Sequence, residues 1–156
     1  MSYNLKKSNP SSSDAIITDF TDYIILKEQI IEKMGKILEN GKHNVMITVH
    51  NIIDLQELHL YEVRSSVHLK ISCSIDPSDE EQSSLLEEFL SLDNISIRNY
   101  TAEDRYSINC DGDVLLFAVK GNKPDNFLVI QTSDSNHIKL FNSFIMESWL
   151  RGRKIV

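Results

Sequence analysis

A chain of 156 residues, 25 % charged and 41 % hydrophobic with 5 Gly and 3 Pro, has the composition of one soluble globular domain that buries a core without disulfides or metals. Two Cys exclude a disulfide scaffold and form no paired zinc signature; no apolar run approaches the ~20 residues of a spanning helix, and Met1 to Ser13 lack the apolar core of a secretory signal, so the expected compartment is the cytoplasm. The net charge of −7 concentrates in residues 51–104, where twelve acids face only Arg64, Lys70 and Arg98, which argues against direct nucleic-acid binding by this chain.

Residues 1–14, with Ser11-Ser12-Ser13, read as a flexible leader, residues 15–152 as a single α/β regulatory domain and 153–156 as a basic, solvated tail. Phe20, Tyr23, Ile24, Ile30, Ile31, Met34, Ile37 and Leu38 recur at helical spacing. Thr18 or Asp19 offers the cap and Gly41 the stop, a helix of about 30 Å at 1.5 Å per residue. Its apolar face is broad enough to serve a partner helix, so Ile24, Ile31, Met34, Ile37 and Leu38 are candidate dimerisation residues.

Val45–Val49 is a continuous apolar run, the pattern of a strand buried on both faces, and His50-Asn51 ends it. Residues 52–63 are expected to be helical. Val67, Leu69, Ile71, Cys73 and Ile75 alternate along a second strand. Asp76–Glu81 reads as a helix start, with Ser78 and Glu81 at capping-box spacing. Leu85, Leu86, Phe89 and Leu90 supply that helix's buried face. Ile95–Tyr100 is a third strand. Tyr106–Cys110 and Val114–Val119 flank Asp111-Gly112-Asp113, a hairpin with an Asp-Gly turn. Phe127–Thr132 is the sixth strand. Ser133 or Asp134 caps a final helix with Ile138, Phe141, Phe144, Ile145 and Trp149 on one stripe, and Gly152 sits where a left-handed stop belongs. The order predicts an α/β fold, a mixed sheet of about six strands with helices on both faces.

The available chemistry is sparse. There is no Gly-rich phosphate loop, no nucleophile elbow and no HExxH, and no metal or cofactor site is expected. Cys73, on an apolar strand face, reads as a buried structural thiol. His68-x-Lys70 and His137-x-Lys139 fit part of the His-x-Lys pattern of a phospholipase D-type phosphodiesterase, in which His attacks and Lys neutralises phosphate. That pattern also needs Asp five residues after Lys. Those places hold Ile75 and Phe144, so neither copy is complete. Asp111 and Asp113 read as turn formers rather than calcium ligands.

Taken together, Ile30–Val49, Leu69–Asp76, Ile95–Tyr100, the Asp111-Gly112-Asp113 hairpin and Phe141–Trp149 resemble the effector domain of archaeal TrmB-type transcriptional regulators, found also as sensory modules in archaeal signalling proteins. The resemblance covers about residues 20–152. It implies a phospholipase D-like fold without the catalytic motifs. It implies a non-enzymatic domain that binds a small-molecule effector or partner and forms a homodimer. No winged helix precedes the domain, so the resemblance implies no DNA binding by this chain, and no membrane contact is expected. The ligand is expected at the carboxyl ends of the strands, with His50, Asn51, Ser74, Asp76, Asn99, Thr132 and Asp134 as candidate binding residues. The alternative is a phosphodiesterase built from the His-x-Lys pairs.

Overall fold

The computed structural model describes residues 26–123 and 126–155. The expected leader, the caps Thr18 and Asp19, and the apolar Phe20, Tyr23 and Ile24 lie outside them. Helix α1 spans Lys27–Leu38. Leu26 before it is extended (φ −75°, ψ 152°) and donates its N–H to the Gln29 side-chain oxygen at 2.9 Å. The helix therefore starts at Lys27, where the Gln29 side chain reaches back to the cap residue, and does not run unbroken from Thr18 or Asp19.

Strand β1 (Asn44–Asn51) follows, then two short 3-10 helices, Ile52–Leu58 and Leu60–Glu62, in place of the continuous helix expected over 52–63. Asn51 accepts the Ile53 N–H at 3.0 Å while Asp54 accepts the Asn51 N–H at 3.2 Å. His59, left-handed at φ 52° and ψ 55°, breaks the run between them. The remaining elements are β2 (His68–Ser74), α2 (Glu80–Leu90), β3 (Ile95–Asn99), β4 (Arg105–Cys110), β5 (Val114–Lys120), β6 (Phe127–Thr132), α3 (Ser135–Arg151) and β7 (Arg153–Lys154).

The seven strands form one mixed sheet in the order β6-β5-β4-β1-β2-β3-β7. β1, β2 and β3 are parallel, and every other pairing is antiparallel. β1, β2, β3 and β5 thus end at one edge of the sheet, called here the carboxyl edge, where β4 and β6 begin. Along β1 the pairing shifts from Thr48↔Ser72 to Asn51↔Ser74, three residues advancing against two. That bulge turns the end of β1.

Three sequence expectations change on closer view. Asp79, not Ser78, caps α2, accepting the Glu81 N–H at 3.3 Å, while Ser78 is bonded to Asp76. Gly152 is not left-handed (φ −67°, ψ 148°). Its missing side chain instead admits Arg98, whose Cβ would stand 2.8 Å from a Cβ at 152. The basic tail is not free either, because Arg153 and Lys154 pair with Asn99 and Arg98 as the edge strand β7.

Helices cover both faces. Val45, Ile47, Val49, Leu69, Ile71 and Cys73 of the parallel strands form one core with α1, the 3-10 helices and α2. Leu115 and Phe117 form a smaller one with Ile138 and Ile145 of α3. Phe144 of the expected stripe is 45 % exposed, leaning on Phe117 at 5.8 Å between ring centroids. Trp149 closes the far end of α3 beneath the Arg98 guanidinium, 4.1 Å away. Ile31, Met34, Ile37 and Leu38, the candidate dimerisation residues, are at most 7 % exposed inside this single chain. Burying each such side chain stabilises the fold by about 1.5–3 kcal/mol. They are core residues, and the exposed face of α1 is charged.

Candidate functional site

The carboxyl edge gathers polar side chains from β1, β2, β3, β4 and the 3-10 turn. Asn51, the last residue of β1, donates its side-chain NH₂ to the Ser74 carbonyl (3.2 Å), Ser74 Oγ (3.1 Å) and Gln82 Oε1 (3.1 Å). Ser74 Oγ donates to the His50 carbonyl at 2.7 Å. The Asp76 N–H donates to the same Gln82 oxygen at 2.8 Å. Asn99 pairs with both backbone groups of Ile75, at 3.2 and 3.3 Å. Five of the expected binding residues, His50, Asn51, Ser74, Asp76 and Asn99, therefore share one edge. The Asn51, Ser74 and Asn99 side chains are engaged in tying the strand ends together. Asp76 is exposed, and hydrogen bonds from the Ser78 hydroxyl and N–H hold its carboxyl below the usual range.

Thr132 and Asp134 do not join them. The β5–β6 hairpin reverses the chain, so the end of β6 lies at the opposite edge, Thr132 pairing with Leu115 at the start of β5. There Asp134 caps α3 through the Asn136 and His137 N–H groups at 2.9 and 3.2 Å, and Thr132 Oγ1 accepts the Asp134 N–H at 3.0 Å. The hydrogen bonds from His137 and Asn136 keep the Asp134 carboxyl below its ordinary value.

The group at the carboxyl edge that is not absorbed by the scaffold is the His50 ring. The bulge in β1 sets it against Tyr106 of β4, ring centroids 4.0 Å apart and stacked at 20°. Tyr106 is fully buried and its hydroxyl lies 3.4 Å from Asp54 Oδ2. Asp54 is 7 % exposed and pairs with Lys27 at the start of α1, Nζ to Oδ1 3.0 Å. Burial lowers the His50 pKa below 6.5, opposed by Asp54 and reinforced by Lys120 and Lys27. Burial, then the Asp54 charge, pushes the Tyr106 phenol far up. Burial thus favours the neutral imidazole, and among the described residues the buried His50 Nε2 has no hydrogen-bond partner.

Cys73 is buried, and desolvation pushes its thiol up to about 12, the low-reactivity state expected of a structural cysteine. His68 and Lys70 begin β2 and His137 and Lys139 begin α3, all four exposed. Both His-x-Lys pairs therefore belong to the edge opposite His50. Among the described residues, no three His, Cys, Asp or Glu side chains converge as a metal site.

Sequence reasoning missed Asp54, Tyr106, Lys27 and Gln82. Asn51-x-x-Asp54 has cap spacing and was legible as a turn. The stacking of Tyr106 on His50 joins residues 56 positions apart and leaves no local trace.

No family model matches the chain, and no curated protein does. Solved structures do. The archaeal chromatin protein TrmBL2, whose structure shows a novel mode of DNA binding, superposes with a TM-score of 0.67 at 14 % identity over 94 % of this chain and 56 % of its own. NucT from Helicobacter pylori gives 0.59 at 8 % identity over 88 % of this chain and 100 % of its own. The phospholipase D family member Nuc from Salmonella typhimurium gives 0.58 at 13 % identity over 80 % and 89 %. The chain has the phospholipase D-like fold and shares it with TrmBL2, of whose length it spans about half. At these identities the likeness is one of fold. Among the described residues, no helix is long and apolar enough to cross a membrane.

Proposed function

We propose that this chain is a non-enzymatic regulatory or sensory domain of a transcriptional regulator or signalling protein, receiving a small ligand or a partner at the carboxyl edge around His50. The observation that carries this reading is the composition of that edge. A phosphodiesterase needs an accessible imidazole with a cation to neutralise phosphate. Here the imidazole is stacked on Tyr106 and desolvated, and of the two lysines whose charges act on it Lys27 is paired with Asp54 while Lys120 stands exposed at the end of β5. What remains is a polar edge, the exposed Asp76 beside the half-buried His50, Asn51, Ser74 and Asn99, and it suits recognition of a guest by hydrogen bonding. Assembly as a homodimer belongs to this reading, through a surface other than Ile31, Met34, Ile37 and Leu38. Contact with DNA falls to another part of the assembly, since the net charge of −7 repels phosphate.

The fold likeness to Nuc and NucT keeps a phosphodiesterase as the second reading. One set of measurements separates them. Native mass spectrometry of the purified chain is expected to give a dimer carrying an added small mass, and bis(p-nitrophenyl) phosphate is expected to remain intact. Hydrolysis that disappears in His50→Ala, His68→Ala or His137→Ala overturns the non-enzymatic reading. A bare monomer that no metabolite stabilises against heat overturns the ligand-binding one.

A further inference from the structure

We propose that the groove between α1 and the two 3-10 helices is a docking site for a basic, amphipathic helical segment of a partner protein. The inference goes beyond the regulatory reading and does not depend on it. The groove encloses about 860 Å³. Its floor is apolar, the half-buried Ile53 and Val63 lying over the buried Ile31 and Leu58. Gly35 keeps it open, since even a Cβ there would already stand 3.9 Å from Leu58. A larger side chain would fill the middle of the cleft.

The walls are acidic. Glu28, Glu32 and Glu39 line it from α1, and Glu57 and Glu62 from the 3-10 helices. All five are exposed, and among the described residues none of their carboxylates makes an ion pair or hydrogen bond. The cations nearby do not neutralise them. Lys27 is held by Asp54, and Arg64, which donates to the Gly41 carbonyl at 3.4 Å, and Lys36 keep their charges, so five carboxylates face two cations. From Glu28 to the C-cap Glu39 is eleven residue steps, about 16 Å at 1.5 Å per step, or three turns of a helix laid alongside. A segment with apolar residues along one stripe and Lys or Arg flanking it would bury its stripe on Ile53 and Val63 and place its charges against both walls. That is the helix-in-groove mode of recognition, with opposite charge giving specificity and on-rate.

Charge decides among occupants. A second copy brings net −7. Residues 1–25 carry Lys6 and Lys7 against Asp14, Asp19 and Asp22, no basic surplus. Arg153 and Lys154 are tied to β3. Nucleic acid would meet like charge.

The test uses the full chain, isotopically labelled, titrated with a three-turn Leu/Lys amphipathic peptide, its Leu/Glu counterpart and, separately, spermine. The Leu/Lys peptide is expected to shift the amides of Gly35, Leu58, His59 and Val63. The shifts should fade with salt, and the Leu/Glu peptide should give none. The paired change Glu32→Lys with Glu57→Lys is expected to weaken binding by about tenfold or more, and the neutral pair Glu32→Gln with Glu57→Gln by less. The neutral pair and the salt series keep the test decisive should the charge-reversed chain fail to fold. Equal binding of both peptides, shifts away from the groove, or no binding of the Leu/Lys peptide overturns the proposal. Spermine binding without peptide binding assigns the groove to a small polycation instead, and contacts from residues 1–25 assign it to the chain's own leader.

Discussion

Replacing Asp111 by Ala removes three hydrogen bonds at once. Its carboxylate accepts the N–H groups of Lys42, His43 and Asn44, each at 2.8 Å. These bonds clip the segment entering β1 to the β4–β5 turn, across 67 to 69 residues of chain. A hydrogen bond to a charged group contributes about 1.5–3 kcal/mol when buried. Here the carboxylate is partly solvated and the freed amides recover water, so the total loss is set at about 2–4 kcal/mol. Asp111→Asn keeps a residue that tolerates the left-handed backbone at φ 58° and one acceptor oxygen, so its loss is about 1–2 kcal/mol. The assay is equilibrium urea unfolding followed by circular dichroism, read as a shift in midpoint at constant slope. Burial raises the Asp111 carboxyl, but the N–H groups of Asn44, Lys42 and His43 outweigh it, and the pKa lies below 3.8. A depressed folded pKa means that this stabilisation is complete above the unfolded value and is lost as pH falls through the folded one. The gap between wild type and Asp111→Ala should therefore narrow as pH falls from about 5 through the depressed folded pKa. A variant within about 0.5 kcal/mol of wild type at neutral pH, or a gap that ignores this pH range, refutes the argument.

Other outcomes follow from the same geometry. Burial, the largest cause, depresses the His50 pKa below 6.5, so its contribution is complete above that value and is lost as pH falls from it through the folded pKa. Wild type should lose stability across that window and His50→Gln should lack this part of the slope; parallel pH profiles would contradict the assignment. Thr48 and Ser107 face each other across β1 and β4, at most 1 % exposed, with hydroxyls that have no partner among the described residues. Thr48→Val and Ser107→Ala should leave stability unchanged or raise it by about 1 kcal/mol in thermal or urea unfolding; a comparable loss would mean that a buried water serves these hydroxyls. Gly152→Ala should cost about 1–3 kcal/mol because its Cβ would press on Arg98 at 2.8 Å, and a neutral result would show that the packing there is loose.

The sequence by itself determined the local elements. Period-2 and helical spacing placed every strand from β1 to β6 and helices α2 and α3 within a few residues, because alternation and capping are nearest-neighbour physics. It also established where the charge lies and that Asp111-Gly112 turns a hairpin. The tertiary structure alone decided the rest. It turned the end of β6 away from the carboxyl edge, taking Thr132 and Asp134 off the candidate site. It buried Ile31, Met34, Ile37 and Leu38 beneath one chain, since an apolar helix face looks the same whether it covers a sheet or a partner. It paired His50 with Tyr106 and Asp54 with Lys27, and drew Arg153 and Lys154 into the sheet. Each of these joins residues far apart in the chain, and such pairings depend on strand order and direction, which hydrophobic period does not encode.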